Sequence, residues 1–257
     1  MTQIHKTAEV DSNAEVAQDV SVGPYSVISS EAKIGAGTSI GPHVLIEGRV
    51  EIGENNEIQK GAVIGTPPQD WSYEDSNTGV KIGDNNVLRE YITINRSTSE
   101  DEDTVVGEEN MIMAYCHIAH DCRVGDGNAL ANGVTLAGHV SVGDNVVMGG
   151  LTPVHQFVRI GSFAMVGGLS RLNKDVPPFI RIFGNPAQIV DVNSIGLRRN
   201  DFSAETRKLL KRAFKIIFRS NNNTSQALDK ITEELPQNEQ LDRLINFIRQ
   251  SERGIHK

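Results

Sequence analysis

Aromatic residues make up only 5% of this 257-residue chain, with a single tryptophan. A core of stacked rings is therefore excluded, and aliphatic side chains must fill the interior. Cysteine is nearly absent. The two present, Cys116 and Cys122, are too few for a disulfide scaffold, and their six-residue spacing makes them small inward-facing hydrophobes of a reducing cytoplasm. No apolar run is long enough to span a bilayer, and the opening MTQIHKTAEV has none of the apolar stretch of a signal peptide. A net charge of −8 argues against nucleic acid as the partner.

What the chain does have is a period of six. Val10, Val16, Val22, Ile28, Ile34, Ile40, Ile46, Ile52, Ile58 and Ile64 recur without a miss; the phase resumes at Ile82, Leu88 and Ile94, and again from Val106 through Val166. Neither a helix nor an alternating strand repeats this way. A parallel β-helix does, with one short strand per hexapeptide and three per coil. Glycine often follows the apolar residue (Gly23, Gly41, Gly53, Gly125, Gly161), where a positive φ would turn a corner. Small or β-branched residues four places on, such as Ala32, Val44 and Ala164, suit a narrow prism. The period predicts a β-helical solenoid over 1–190, interrupted by loops near 67–80 and 95–105, and a helical domain over 191–257.

Charge divides the same way. Residues 1–197 carry 12 Lys and Arg against 25 Asp and Glu, whereas 198–257 carry 13 against 8. After Pro177-Pro178 the period dissolves, and from Ser203, a plausible N-cap, the pattern is helical. Leu209, Leu210, Ala213, Phe214, Ile217 and Phe218 form one face, and Lys208, Lys211, Arg212, Lys215 and Arg219 the other. Two further helices are expected over 225–235 and 238–250, separated by Pro236. The basic stripe suits either plain solvation or an acidic partner.

Four of the seven histidines lie between positions 117 and 155. With an 18-residue coil, residues 18 apart stack about 4.8 Å from each other. His120, Gly138 and Gln156 then share one column, and Asp121 and His139 the next, gathering His117, His120, His139 and His155 on one side. Such a cluster offers metal binding or general-base chemistry. His117 and His120 are three apart rather than the five expected of zinc-binding hexapeptide proteins, which disfavours a metal. Asp121 beside His120 suits a base, and Gly138 offers an unobstructed N–H to an oxyanion. No serine or cysteine stands out as a nucleophile. Of the two loops, the first, with Gln69, Asp70, Trp71 and Tyr73, looks like part of a site; the acidic second reads as a solvated excursion.

The strings HIAHDCRVG, LAGHVSVGD, VHQFVRIG and DVPPF, followed by a three-helix tail, resemble the UDP-N-acetylglucosamine acyltransferase family across essentially the whole chain. That resemblance implies a left-handed parallel β-helix, a homotrimer with sites between subunits, and the first step of lipid A synthesis, without a cofactor. It makes His120 the general base, with Asp121 beside it and Gly138 as the oxyanion donor. The donor would be a (3R)-hydroxyacyl group on acyl carrier protein, docked on Lys208, Lys211, Arg212 and Lys215. Gln69, Asp70, His117, His139, His155, Gln156, Asn193 and Arg199 would line the substrates, and Met165 and Gly168 the acyl-chain pocket.

Two departures stand at the nucleotide-sugar end. Ser72 occupies a position where the family often has lysine, and Ile195 one where it often has glutamate. They leave open whether the acceptor is the sugar 3-hydroxyl or a 3-amine. A coenzyme-A-dependent acetyltransferase of the same repeat is the further alternative.

Overall fold

In the computed structural model, which describes residues 1–74 and 76–257, the hexads become strands of two to four residues. The chain deals them in rotation to three parallel sheets: the first begins with Gln3–Ile4, the second with Glu9–Val10 and the third with Glu15–Val16. The repeat thus starts one hexad earlier than Val10. Each strand pairs with the one a coil away, as in Ile118↔Leu136 and Val124↔Val142. The six-spaced residues from Val22 to Val166 are buried and form the thread of the core; Cys116 and Cys122 join them as free thiols. Burial raises these thiols to about 11 and about 12, respectively, so neither supplies a thiolate nucleophile at neutral pH.

The loops occupy 67–78 and 96–103, between strands Val63–Thr66 and Gly79–Ile82 and between Thr93–Asn95 and Thr104–Val106. They lengthen the coil from 18 residues to 30 and to 24. Both additions are whole hexads, which is why the period reads in phase on either side of them.

The corners correct one expectation. Gly23, Gly41, Gly53, Gly125 and Gly161 do not take the positive φ; that falls two residues later, on Tyr25, His43, Asn55, Gly127 and Phe163. The earlier glycines are needed for close approach: a Cβ on Gly23 or Gly53 would stand 2.7 or 2.8 Å from the backbone carbon of Gly41 or Gly83 in the next coil.

The corner between the third and first sheets holds a ladder absent from the sequence reading. Asn56, Asn86, Asn110 and Asn128 are buried, and each Oδ1 accepts the backbone N–H one coil on: Asn86 from Asn110 and Asn110 from Asn128, both at 2.9 Å. Asn110 Nδ2 also donates to Asn86 Oδ1 at 3.0 Å. Asn110→Ala strands the Asn128 N–H in the core, and is expected to cost about 1–3 kcal/mol. Chemical denaturation of the variant against its parent checks this.

Beyond Pro178 the first sheet continues as an unpredicted hairpin, Ile180–Phe183 against Gln188–Val192, which spans the expected 190/191 boundary. Four helices follow: α1 (Ser194–Arg199), α2 (Ala204–Phe218), α3 (Thr224–Glu234) and α4 (Glu239–Arg249). Ser203 caps α2 by accepting the Thr206 N–H, and Leu209, Leu210, Ala213, Phe214 and Ile217 are its buried face. Its basic stripe divides. Lys208, Arg212 and Lys215 are exposed, but Lys211 pairs with Asp191 and Arg219 donates to the carbonyls of Ile189 and Val190. The chain end closes on the last coil, where Ser251 Oγ donates to buried Asp175 at 2.7 Å. Among the described residues, no helix is long and apolar enough to cross a membrane.

Candidate active site

The corner between the second and third sheets gathers the chemistry. Strand His117–Ile118 delivers His120 and Asp121 to this corner, and one coil on Thr135–Leu136 delivers Gly138 and His139. Asp121 and His139 both take φ of 59°, and Phe157, a coil further, takes 64°. Side chains rarely accept this left-handed backbone, whose strain the surrounding coils must hold. The His139 N–H donates to the His120 carbonyl and the Phe157 N–H to that of Gly138, each at 3.1 Å, so the column is tied coil to coil.

Asp121 is the hub. Its Oδ2 accepts from His120 Nδ1 at 2.7 Å, and His139 Nε2 lies 3.5 Å away. Thr98, on the second loop, donates its N–H to Oδ1 at 3.0 Å and its hydroxyl to Oδ2 at 2.7 Å. Burial opposes the charge on Asp121. The bonds from His120 and Thr98 outweigh it and hold the carboxyl down at about 2, fully ionised at neutral pH. Nδ1 of His120 is therefore committed as a donor, leaving Nε2 as the basic nitrogen.

Gly138 makes room for that ring. A Cβ there would lie 2.5 Å from His120 Cε1 and 2.7 Å from Nε2. The His120 and His139 rings meet edge to face at 5.3 Å, and His139 stacks on Phe157 at 4.6 Å. His117 bonds Thr93 Oγ1 through Nδ1 at 2.7 Å; burial, then the neighbouring His120, push its pKa down and favour the neutral ring. His155 Nδ1 lies 3.1 Å from the Gln156 carbonyl and 3.2 Å from Arg253 of the C-terminal segment.

The first loop contributes Asp70, which accepts the Ser72 N–H at 2.9 Å and hydroxyl at 2.8 Å. Those bonds keep its carboxyl below the usual range, with help from the charges of His120 and His139. Asp70, Ser72, Tyr73, Glu74, Ser76 and Thr98 line a hollow of about 430 Å³, and Gln69 with Pro68, Asp70 and Trp71 another of about 360 Å³. A roomier groove of about 540 Å³ runs beside α4 along the third sheet. It contains none of these histidines, and the chemistry rather than the volume marks the site. His120, Asp121 and His139 each offer a ligand atom within 4.8 Å of the others, a set able to face a cation. Asp121 Oδ2, however, already takes hydrogen bonds from two of its neighbours.

The other candidates sit elsewhere on the prism. Asn193 is buried as the N-cap of α1, accepting the Gly196 N–H at 3.1 Å and donating to the Phe163 carbonyl at 2.9 Å, at the corner between the third and first sheets. Arg199 is exposed in the last turn of α1. Met165 is on the first sheet, and Gly168 at the corner between the first and second. Within one chain, then, the predicted residues are spread over three corners, the first sheet and the helices. Sequence reasoning missed Thr98, Thr93 and Arg253. It also missed Phe157, which the 18-residue arithmetic that aligned Asp121 with His139 would have found.

A hexapeptide prism with an imidazole–carboxylate pair at one corner and a helical cap defines a class, the hexapeptide transferases. Residues 31–66 and 103–138 match the bacterial transferase hexapeptide repeat, and residues 175–256 match the second domain of UDP N-acetylglucosamine O-acyltransferase. The acyl-[acyl-carrier-protein]–UDP-N-acetylglucosamine O-acyltransferases of Thermodesulfovibrio yellowstonii and Thiobacillus denitrificans are 49% and 45% identical over 256 residues, 99% of each chain. Among solved structures, LpxA from Acinetobacter baumannii superposes with a TM-score of 0.95 at 44% identity, covering 99% of both chains. The UDP-N-acetylglucosamine acyltransferase from Campylobacter jejuni gives 0.93 at 39%, again over 99% of both. This chain belongs to the UDP-N-acetylglucosamine O-acyltransferase family.

Proposed function

We propose that the protein transfers an (R)-3-hydroxyacyl chain from acyl carrier protein to the 3-position of UDP-N-acetylglucosamine, in lipid A synthesis. The observation that carries the reading is the 2.7 Å bond from His120 Nδ1 to an ionised Asp121, which frees Nε2 as the base. Nε2 takes the proton from the sugar hydroxyl as its oxygen attacks the thioester carbonyl. The Gly138 N–H, which donates to no protein acceptor among the described residues, receives the oxyanion. Collapse breaks the C–S bond, and the imidazolium returns its proton to the departing thiolate. Gln69, Asp70, His117, His139, His155 and Gln156 line the acceptor and the pantetheine arm, and exposed Lys208, Arg212 and Lys215 meet the acidic carrier, with Lys211 held back by Asp191.

A homotrimer, with the coil left-handed as in the family resemblance, reunites the three corners. The third sheet carries ion pairs, Lys33–Glu15 at 3.2 Å, Arg123–Glu102 at 3.0 Å and Lys81–Asp103 at 2.9 Å, as suits a solvent face. The corner between the first and second sheets instead exposes Tyr25, Tyr91, Tyr115, Leu151 and Leu169, Leu169 by 68%, all at positive φ. An exposed apolar ridge, interrupted at His43, Gly61 and Gly133 but otherwise following the corner, is the mark of a contact surface. Packing the second sheet of one copy against the first sheet of the next would bring Met165, Asn193 and Arg199 toward His120. Free Cys116 and Cys122 suit a cytoplasmic site of action.

A 3-amino sugar is the second acceptor to test, because Ser72 holds Asp70 where the family often has lysine. Purified protein is mixed with UDP-N-acetylglucosamine, its 3-amino analogue, a panel of 3-hydroxyacyl carrier proteins, and acetyl-coenzyme A, and products are read by mass spectrometry. The expected result is one acylated UDP-sugar from one chain length. Acetyl transfer alone would overturn the reading.

A further inference from the structure

We propose that Thr98 is a positioning residue for this reaction, its backbone N–H and hydroxyl together clamping the Asp121 carboxylate that orients His120. The proposal rests on His120 acting as the base. Thr98 comes from the second loop, whose acidic composition gives no sign of a place in the site. Its two donors reach both carboxylate oxygens, at 3.0 Å and 2.7 Å. From the other side the backbone N–H of Asp121 donates to Thr104 Oγ1 at 2.8 Å, where the loop rejoins the coil. The loop therefore grips this residue at its backbone and at its carboxylate.

The loop is held firmly enough to do this. Ser97, fully buried, donates its N–H to the Gly79 carbonyl at 3.2 Å and its hydroxyl to the Ser99 carbonyl at 3.1 Å. Asp103, at the loop's far end, takes Arg49 at 2.8 Å and Lys81 at 2.9 Å. Asp121 needs such support because its backbone sits at φ 59°, and no neighbour other than Thr98 donates to Oδ1 among the described residues. Without the loop, rotation about the side chain could carry the carboxylate away from His120 and release Nδ1.

The hydroxyl has a second effect. Asp121 Oδ2 is shared by the Thr98 hydroxyl and His120 Nδ1, each at 2.7 Å. Each donor draws on the same negative charge, so the hydroxyl weakens the pull of the carboxylate on an imidazolium. Removing it stabilises protonated His120 and raises the pH at which the base becomes free. The other titratable groups facing His120 are His139, His117 and Asp70, and among the described residues the hydrogen bonds of Thr98 go to Asp121 rather than to any of them.

Thr98→Val removes the hydroxyl and keeps the backbone donor and the shape; Thr98→Ser keeps both donors. In the full-length protein, Thr98→Val is expected to move the acid limb of kcat/KM upward by about 0.5–1 pH unit. Turnover at neutral pH should fall roughly 5–20-fold, with both KM values within about twofold, and Thr98→Ser should stay within about twofold of the parent. A Thr98→Val profile that superimposes on the parent, or a Thr98→Ser variant no better than Thr98→Val, would overturn the clamp. The His120 ring titration, followed by NMR in the free enzyme, tests the contact without catalysis: an upward shift in Thr98→Val supports it, and an unmoved titration overturns it. Normal turnover by His120→Ala would instead sink the base reading while leaving the NMR test of the contact intact.

Discussion

His120→Ala should lower turnover by roughly 10²–10⁴-fold, the usual worth of a general base, and leave the fold unchanged. The two halves of the expectation have separate causes. The imidazole is outside the prism, at a corner, and the inward residues around it, Ile118, Cys122 and Leu136, keep every contact when it is cut back. What disappears is the nitrogen proposed as the base, together with the donor that Asp121 is oriented to receive. Steady-state rates with circular dichroism on the same sample separate the effects. A soluble, folded variant within a few-fold of the parent rate would mean that another group abstracts the proton, and His139, 3.5 Å from the same carboxylate, would be the first to replace.

Gly138→Ala is expected to approach the same loss without removing a titratable group. The new Cβ would fall 2.5 Å from His120 Cε1, closer than nonbonded carbons approach, so the ring must move. It cannot move far without breaking its 2.7 Å bond to Asp121, which Thr98 and the coil hold in place. A displacement of about 1 Å in a reacting group costs on the order of 10²-fold in rate. Gly138 is not among the glycines at positive φ, so alanine meets no backbone strain there and thermal stability should change little. A normal rate for Gly138→Ala would show that the ring has slack, and that its place above Gly138 is incidental.

The fold was legible because hexad after hexad states the same thing, one apolar residue in six, and the phase returns after each interruption. The stacking of the candidate site was legible for the same reason: 18-residue arithmetic alone puts Asp121 under His139 and His120 under Gly138, as the structure has them. What stayed hidden breaks the repeat. Thr98 belongs to a loop with no period, and its bond to Asp121 spans 23 residues of irregular chain and coil. The asparagine ladder was hidden by chemistry rather than spacing, since a polar side chain at an inward position looks like an exception until its neighbours a coil away are seen to match. The hairpin at Ile180–Val192 was lost because Pro177-Pro178 looked like the end of the sheet, which in fact takes two more strands.

The whole-hexad loops give the chain something like a reading frame. Inside the coils, deleting one residue would shift every later side chain by one place, turning core positions outward and corner residues inward. In an excursion such as 67–78 or 96–103, slack can absorb the change before the next strand, and extra length costs little. Single-residue length changes in this molecule should therefore act like frameshifts in a message: ruinous in the coils, and suppressible at two addresses. Both addresses border the corner that holds His120 and Asp121, so the stretches freest to change length also line the hollow beside the proposed base.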